Sequence, residues 1–393
     1  MVSDKDSVDK RILMMSALTF IIMLGAGIIT PILPKYAENL GASYIYVGFT
    51  ISAFGLARII TDIPSGTLSD IVGRRSTLLL GTTLYVASGL VAAYATSIEH
   101  LIIARFLQGV GAAVYTTPAL AYVADILPPT QKGRYIGYYQ SSFFLGSVFG
   151  PSLGGILASV GGLRLPFITL SALSLVSALA TYISVTPTPT YRKGEVYERE
   201  SILSIITATL RSRAMVVSYV AAVTTFFLST AIKFTLLPIY SAKVLNLSEG
   251  EIGLVLTLIA LVNFLMMGRS GSIADKLGAE LTMIYGFILS GLTTALYPLS
   301  FNLPILLVIA CGFGVTTSLI VPAQVSLAVE SSHPKHRGLS MGIYRIFSDI
   351  GLIIGPILSG AFIEFLPISY AFYFIAGICF FAAFFIYLMQ RRP

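Results

Sequence analysis

The stretch Gly146-Ser-Val-Phe-Gly150-Pro151-Ser-Leu-Gly154-Gly155 returns later as Gly351-Leu-Ile-Ile-Gly355-Pro356-Ile-Leu-Ser-Gly360, an offset of 205 residues (351 − 146). The same offset carries Gly66, Asp70 and Gly73 onto Gly271, Asp275 and Gly278. It also takes Asp125 to Glu330, Gly133 to Gly338 and Gly137 to Gly342. Glycine, proline and acidic residues matched at one nearly ungapped offset mean a duplicated unit that fills the chain.

Composition says what medium that unit lives in. Of the 393 residues 55% are hydrophobic and only 11% charged, and mean hydropathy is +0.86. A soluble domain carries about 25% charged residues, so this chain cannot clothe a surface in water. The sequence reads as a polytopic membrane protein, and a nucleic-acid-binding domain, a disordered chain and a secreted disulfide framework are poor fits. Cys311 and Cys379 lie in apolar runs without metal or redox spacing, so they read as small buried hydrophobes. No cofactor or metal is expected.

A membrane helix needs about 20 apolar residues. Such runs fall near 12–33, 45–66, 77–96, 101–123, 135–158, 166–185, 214–238, 250–270, 281–299, 304–327, 339–362 and 369–389. The fold class is therefore all-α integral membrane, with twelve transmembrane helices as two six-helix bundles. Because six is even, the two bundles run in parallel orientation. The expected organisation is an N-terminal bundle over 1–185, a cytoplasmic linker over 186–213 and a C-terminal bundle over 214–393. Thr186–Ser201 is the long hydrophilic stretch, with Pro187 and Pro189, and Ile202–Leu210 is a candidate interfacial helix. With the N-terminus inside, the outer loops hold only Lys35, Arg164 and Lys243, and the other loop and tail cations fall inside. The positive-inside rule then puts both termini in the cytoplasm. The net charge of +7 is mostly a topological address.

Three motifs carry a family likeness. Gly66-Thr-Leu-Ser-Asp70-Ile-Val-Gly73-Arg74-Arg75 resembles the loop 2–3 signature of the major facilitator superfamily. Leu101-Ile-Ile-Ala-Arg105-Phe-Leu-Gln108-Gly109-Val-Gly111 is similar to that superfamily's fourth-helix motif, and Gly146–Gly155 to its fifth-helix antiporter motif. The resemblance covers the whole chain and points to the twelve-helix drug:proton antiporter group. It implies that the loop latches the two halves on the cytoplasmic side, with Asp125 as partner of Arg74. The residues also read as a positive-inside anchor at a tight turn. Ile71 stands where the family usually has arginine, and Ala279 and Glu280 replace the arginine pair in the second copy, so a second latch is expected to be degenerate. In the fifth span Pro151 removes an amide and bends the helix, while Gly146, Gly150, Gly154 and Gly155 permit close packing.

Six ionisable side chains fall inside spans: Arg58, Asp62, Arg105, Lys233, Arg345 and Asp349. Each costs ~2.5–3.5 kcal/mol at a helix centre on the insertion scale, so each needs a partner or a polar cavity. Arg58 and Asp62 are four residues apart, as are Arg345 and Asp349, which makes two intrahelical pairs one reading. The other uses depth. Arg58 and Asp349 each lie eight residues from the cytoplasmic ends of their spans, about 12 Å of helix, and Asp62 and Arg345 each lie four. The resemblance implies that spans 2 and 11 face each other, which would make Arg58–Asp349 and Asp62–Arg345 a two-pair cytoplasmic gate. Asn263 and Gln140 are the repeat partners of Arg58 and Arg345 and are candidates for the opposite seam.

Arg105 and Lys233 have no evident acid. Either they snorkel or bond carbonyls, or they line a substrate and proton pathway with Gln108, as the resemblance implies for Arg105. Tyr115 and Gln324 are further cavity candidates, and Asp349 is the mid-membrane candidate for proton binding. No nucleophile elbow, metal motif or phosphate loop is present, so an enzyme is not expected. The expected function is proton-coupled efflux of small hydrophobic or amphipathic compounds by alternating access, in the plasma membrane, as a monomer, with protons and a small-molecule substrate as ligands. The two uncompensated cations favour an alternative, transport of an anionic metabolite or other small solute, and a non-transporting membrane sensor is the competitor from another class.

Overall fold

The computed structural model describes residues 2–126, 132–185, 212–332 and 337–391, and among these residues every regular element is helical. The first half contains α1 (Val2–Ile28), a short α2 (Leu33–Asn39), α3 (Tyr44–Val72), α4 (Arg74–Ala93), α5 (Ile98–Ile126), α6 (Lys132–Gly161) and α7 (Leu165–Ser184). The second contains α8 (Arg213–Thr230), a π-helical segment (Ala231–Leu236), α9 (Leu237–Lys243), α10 (Glu249–Leu277), α11 (Ala279–Leu296), α12 (Leu303–Ser331), α13 (Arg337–Phe365) and α14 (Ile368–Gln390). Thr186–Ser201 and Ile202–Leu210 lie outside the described residues.

Eleven of these crossings are long and apolar enough to span a bilayer, α8 to α9 counting as one. The remaining long helix, α5, has 29 residues and is diluted in apolar character by Arg105 and Gln108. The protein is thus a multi-pass membrane protein, with twelve long helices among the described residues.

Local sequence explains where the helices begin and turn. Gly73 and Gly278 both adopt positive φ, 89° and 86°, with ψ of 151° and 147°, a region open essentially to glycine alone that costs an L-residue ~1–3 kcal/mol. Each joins two helices with a single intervening residue. Pro166 and Pro304 sit in first turns, where the missing N–H has no intrahelical role. Asn302 caps α12 by accepting from the Ile305 amide at 3.0 Å. Ser248 and Glu251 form a reciprocal capping box at the start of α10, with 2.8 Å and 3.4 Å bonds, satisfying two free amides.

The described residues form two compact units. Unit 1 comprises Met1–Gly41, Ala53–Lys193 and Ser248–Thr257, and unit 2 comprises Ala42–Ser52, Gly194–Leu247 and Leu258–Pro393. Inside unit 1, α1 packs on α6, and α4 on both α5 and α7. Inside unit 2, α8 packs on α13, and α11 on both α12 and α14, which is the same set of pairs under the repeat. Even the glycine seats repeat. A Cβ at Gly81 would meet Tyr115 at 2.9 Å, and one at Gly286 would meet Ile320 at 2.6 Å. The apolar core of unit 2 gathers Met283, Phe287, Ile320 and Ile386 from α11, α12 and α14.

Candidate functional site

The loop between α3 and α4 is assembled around Arg74. Its Nη1 lies 2.6 Å from Asp70 Oδ1 and donates to Ser69 Oγ at 2.8 Å, while Nε donates to Asp125 Oδ2 at 3.1 Å. One guanidinium therefore joins the end of α3 to the end of α5. Arg75 points elsewhere, donating to the Tyr182 carbonyl and resting 4.7 Å from the centre of the Tyr182 ring. Gly66 has room beside Thr117, whose methyl would stand 3.8 Å from an added Cβ.

The second copy of the loop is wired differently. Glu280, which replaces Arg75 in the repeat, accepts two bonds from Arg213 at 3.0 and 3.1 Å, and so ties α11 to α8. Glu330, the counterpart of Asp125, accepts from Ser326 on its own helix at 2.6 Å. The inverted charge at position 280 has built a different clamp in place of the first.

In the fifth-span motif the glycines divide between two neighbours. Gly146, Gly150 and Gly154 recur every four residues and face α1, where added Cβ atoms would overlap the backbone of Phe20, Gly27 and Ile28. Gly155 is rotated by a further ~100° and faces the Glu249 carbonyl. Pro151 sits inside the helix between them.

The buried charges of the first repeat gather around Phe54. The Arg105 guanidinium stands 4.8 Å and that of Arg58 6.0 Å from the ring centre, and Arg58 donates to Asp62 Oδ2 at 3.3 Å. Arg105 is only 5% exposed and Gln108 2%. Arg105 Nη1 donates to the Gln108 carbonyl oxygen, yet Arg105 Nε and Gln108 Nε2 are buried without an acceptor. No described carboxylate comes within ion-pair distance of Arg105. A buried donor left unpaired costs about 1–3 kcal/mol, so two of them one helical turn apart make this turn of α5 costly to stability. Gly109 lets α5 approach the Phe54 carbonyl closely enough to hold this geometry.

Lys233 lies in the π-helical segment, half-buried, with no carboxylate in ion-pair distance among the described residues. Pro238, four residues past Phe234, has no amide to close an ordinary turn, and the Leu237 N–H reaches back to the Ile232 carbonyl. That widened turn is the irregularity that hydropathy could not show. The pairing of a membrane lysine with a proline five residues on was the available signal.

The remaining expected residues scatter. Asp349 is 2% exposed, whereas Arg345 is exposed on the same helix. Tyr115 bonds Thr19 at 3.2 Å within the packed contact of α4, α5 and α1. Gln324 accepts from Thr225 at 3.0 Å, leaving its Nε2 buried and unpaired. Asn263 donates to Thr317 at 3.1 Å, and Gln140 is exposed. Lys35 with Glu249 and Glu364 with the Tyr44 amide at 2.8 Å are polar contacts the sequence reading did not single out.

Twelve long helices, a duplicated packing scheme and charges held inside the helical units define a multi-pass α-helical membrane protein with a polar interior. The chain belongs to the Major Facilitator Superfamily, whose profile matches residues 15–249 and again 222–393. It is therefore a transporter and not an enzyme. It is 29% identical over 364 residues to an uncharacterised MFS-type transporter of Methanocaldococcus jannaschii, covering 92% of this chain and 93% of that protein. It is 25% identical to multidrug resistance protein 2 of Bacillus subtilis, covering 90% and 89%. It is 24% identical to the quinolone resistance protein NorA of Staphylococcus aureus, covering 91% and 90%. Among solved structures, a bacterial homologue of the human lysosomal transporter Spinster superposes with a TM-score of 0.80 at 16% identity, covering 98% and 97%. A POT family transporter in complex with 5-aminolevulinic acid gives 0.81 at 15%, covering 96% and 95%. These structures share the fold.

Proposed function

We propose that this chain exports small hydrophobic or amphipathic compounds from the cell in exchange for protons, by alternating access of two six-helix domains, 1–185 and 214–393, joined by a cytoplasmic linker. The observation that carries the reading is its similarity along nine-tenths of its length to a multidrug and a quinolone resistance protein. The arginine asymmetry of the loops supports a plasma-membrane orientation with both termini cytoplasmic. The chain acts as a monomer.

In this reading Arg105 and Gln108 on α5, with Lys233, Tyr115 and Gln324, belong to the substrate and proton pathway. Asp349 takes up the proton: burial favours its neutral form and a nearby arginine its charged form, so alternating pairing can bind and release H⁺. Arg58, Asp62, Arg345 and Asp349 serve as the cytoplasmic gate, with Asn263 and Gln140 at the opposite seam. Asp70, Arg74 and Asp125 serve as the latch, braced by Arg75 and turned at Gly66 and Gly73.

A second reading is favoured by one specific observation. Arg105 and Lys233 are cations without a described carboxylate partner, an arrangement that attracts an anionic or carbonyl-rich solute. Flux into proteoliposomes, scanned over cationic, neutral and anionic compounds under an imposed pH gradient, separates the two. Efflux of lipophilic compounds predicts gradient-driven movement of the cationic and neutral members. Movement confined to the anionic members would replace it with the second reading.

A further inference from the structure

One face of α10 changes character along its length. Leu258, Leu261, Leu265, Arg269, Ser272 and Lys276 follow one another in steps of three or four residues, which places them on one side of a helix. The other side is committed to α12, where Asn263 donates to Thr317 at 3.1 Å and Ser270 bonds Ser318 at 3.0 Å. Leu265 is 61% exposed, and Arg269, Ser272 and Lys276 beyond it are exposed as well. The face is therefore leucine along the span and cationic toward its Leu277 end.

Arg269 is the anomaly on this face. It lies eight residues before Leu277, about 12 Å of helix, and its neighbour one turn further in is a leucine. A charged side chain facing lipid is costly unless it reaches water or an anion. The one polar contact of its guanidinium is Nη1 at 4.0 Å from Met266 Sδ. No described carboxylate, that of Asp275 included, lies within ion-pair distance of Arg269 or Lys276. Space is left beside the two cations. An added Cβ at Gly268 would meet nothing within 4 Å, and Ser272 turns its hydroxyl back to the Gly268 carbonyl at 3.3 Å. The first repeat has no such face. Subtracting 205 from 265, 269 and 276 gives Ile60, Pro64 and Ile71, all exposed and none charged.

We propose that this face of α10 holds one anionic phospholipid from the leaflet at the Leu277 end of the helix. Arg269 takes the phosphate with its planar fork of donors. Lys276 lies two turns on, and helical side chains lean toward the N-terminus, so its ammonium is carried back toward the same phosphate. An acyl chain lies along Leu265, Leu261 and Leu258. Charge and shape together select this occupant. Two cations without a carboxylate favour a headgroup of net negative charge, and the leucines that continue from them favour a molecule with a hydrocarbon tail. The site goes beyond the proposed efflux reading and does not depend on the substrate or on the direction of proton movement.

The chain contains no tryptophan, so one introduced on this face is a clean reporter. The purified full chain carrying Leu265→Trp is placed in phosphatidylcholine nanodiscs, and quenching by dibrominated phosphatidylglycerol is compared with quenching by dibrominated phosphatidylcholine. Phosphatidylglycerol is expected to be enriched about tenfold at this position, and Arg269→Gln to reduce that preference about fivefold. Ile60→Trp, on the uncharged face of the first repeat, is expected to show no preference. Equal quenching of Leu265→Trp by the two lipids, or a preference that survives Arg269→Gln and Lys276→Gln together, overturns the proposal. Protection from both lipids, as by a second copy of the chain covering the face, overturns it equally. Thermal melting reports whether each variant folds. Should Leu265→Trp fail to fold, native mass spectrometry from an equimolar mixture of the two lipids decides. The unmodified chain is expected to retain phosphatidylglycerol and the doubly substituted chain to lose that preference, and identical retention by both overturns the proposal.

Discussion

The two repeats keep the same scaffold and carry different chemistry. At the glycines they agree position by position: Gly73 and Gly278 turn with positive φ, Gly81 and Gly286 seat the facing helix, and Gly109 and Gly314 face the carbonyls of Phe54 and Ile259. Where charge is held inside they part. Arg105 corresponds to Ala310, Gln108 to Phe313 and Arg58 to Asn263, while Lys233 in the second repeat corresponds to Ile28 in the first. Packing geometry tolerates little change after duplication, because a Cβ placed against a backbone carbonyl has nowhere to go. A polar interior needs only one set of binding groups, so the second set was free to diverge. That asymmetry is why the proposed pathway is centred on the turn of α5 holding Arg105 and Gln108.

The largest effect is expected there. Arg105→Ala should lower transport on the order of 10–100-fold, the weight of one charged hydrogen bond, with little change in thermal stability. Arg105→Lys should not restore it, because an ammonium cannot both lie on Phe54 and keep a planar fork toward Gln108. Full activity in Arg105→Lys would show that charge alone matters. Next, Gly73→Ala and Gly278→Ala should each destabilise by ~1–3 kcal/mol, to the same degree in both repeats, as measured by thermal melting. A marked inequality would break the claim that the scaffold is conserved between the copies.

Lys233→Met should leave the melting temperature within a few degrees of the parent, because no described carboxylate is orphaned by the change. Its effect should be a several-fold shift in the ratio of anionic to cationic compounds carried, read from competition assays. An unchanged ratio would take Lys233 out of the pathway. The smallest effects belong to the ion pairs at the helix ends, each of which keeps one partner partly exposed. Arg74→Ala and Arg213→Ala should each cost ~0.2–1 kcal/mol of stability, and raised salt should narrow the difference from the parent. A larger salt-insensitive loss at Arg74 alone would mean that the first loop carries structural weight the second does not.

Much of this was legible before the structure. The apolar runs and the offset of 205 give the helices, their number and their duplication, because both follow from one-dimensional periodicity. The partnership of Arg74 and Asp125 was read through resemblance, and the structure places the two side chains 3.1 Å apart. The π-helical segment around Lys233 was not legible, since a widened turn leaves hydropathy untouched. The short α2 and the clamp of Glu280 on Arg213 were missed for a related reason. The first is seven residues, about two turns, with Lys35, Glu38 and Asn39 among them, and the second joins residues 67 positions apart. Arg345 and Asp349 were both expected inside a span, and the structure buries only the aspartate. The repeat also pointed to the glycines of α6 and α13 without showing that each helix divides them between two neighbours.

Proton-coupled exchange, the proposed function, is tested most directly by recording substrate and proton movement together in proteoliposomes, for the parent chain and for Asp349→Asn. Substrate uptake by the parent is expected to be matched by proton export, and Asp349→Asn to lose the response to the pH gradient while still binding substrate. Protons moving inward with the substrate, or an Asp349→Asn variant that still follows the gradient, would contradict it.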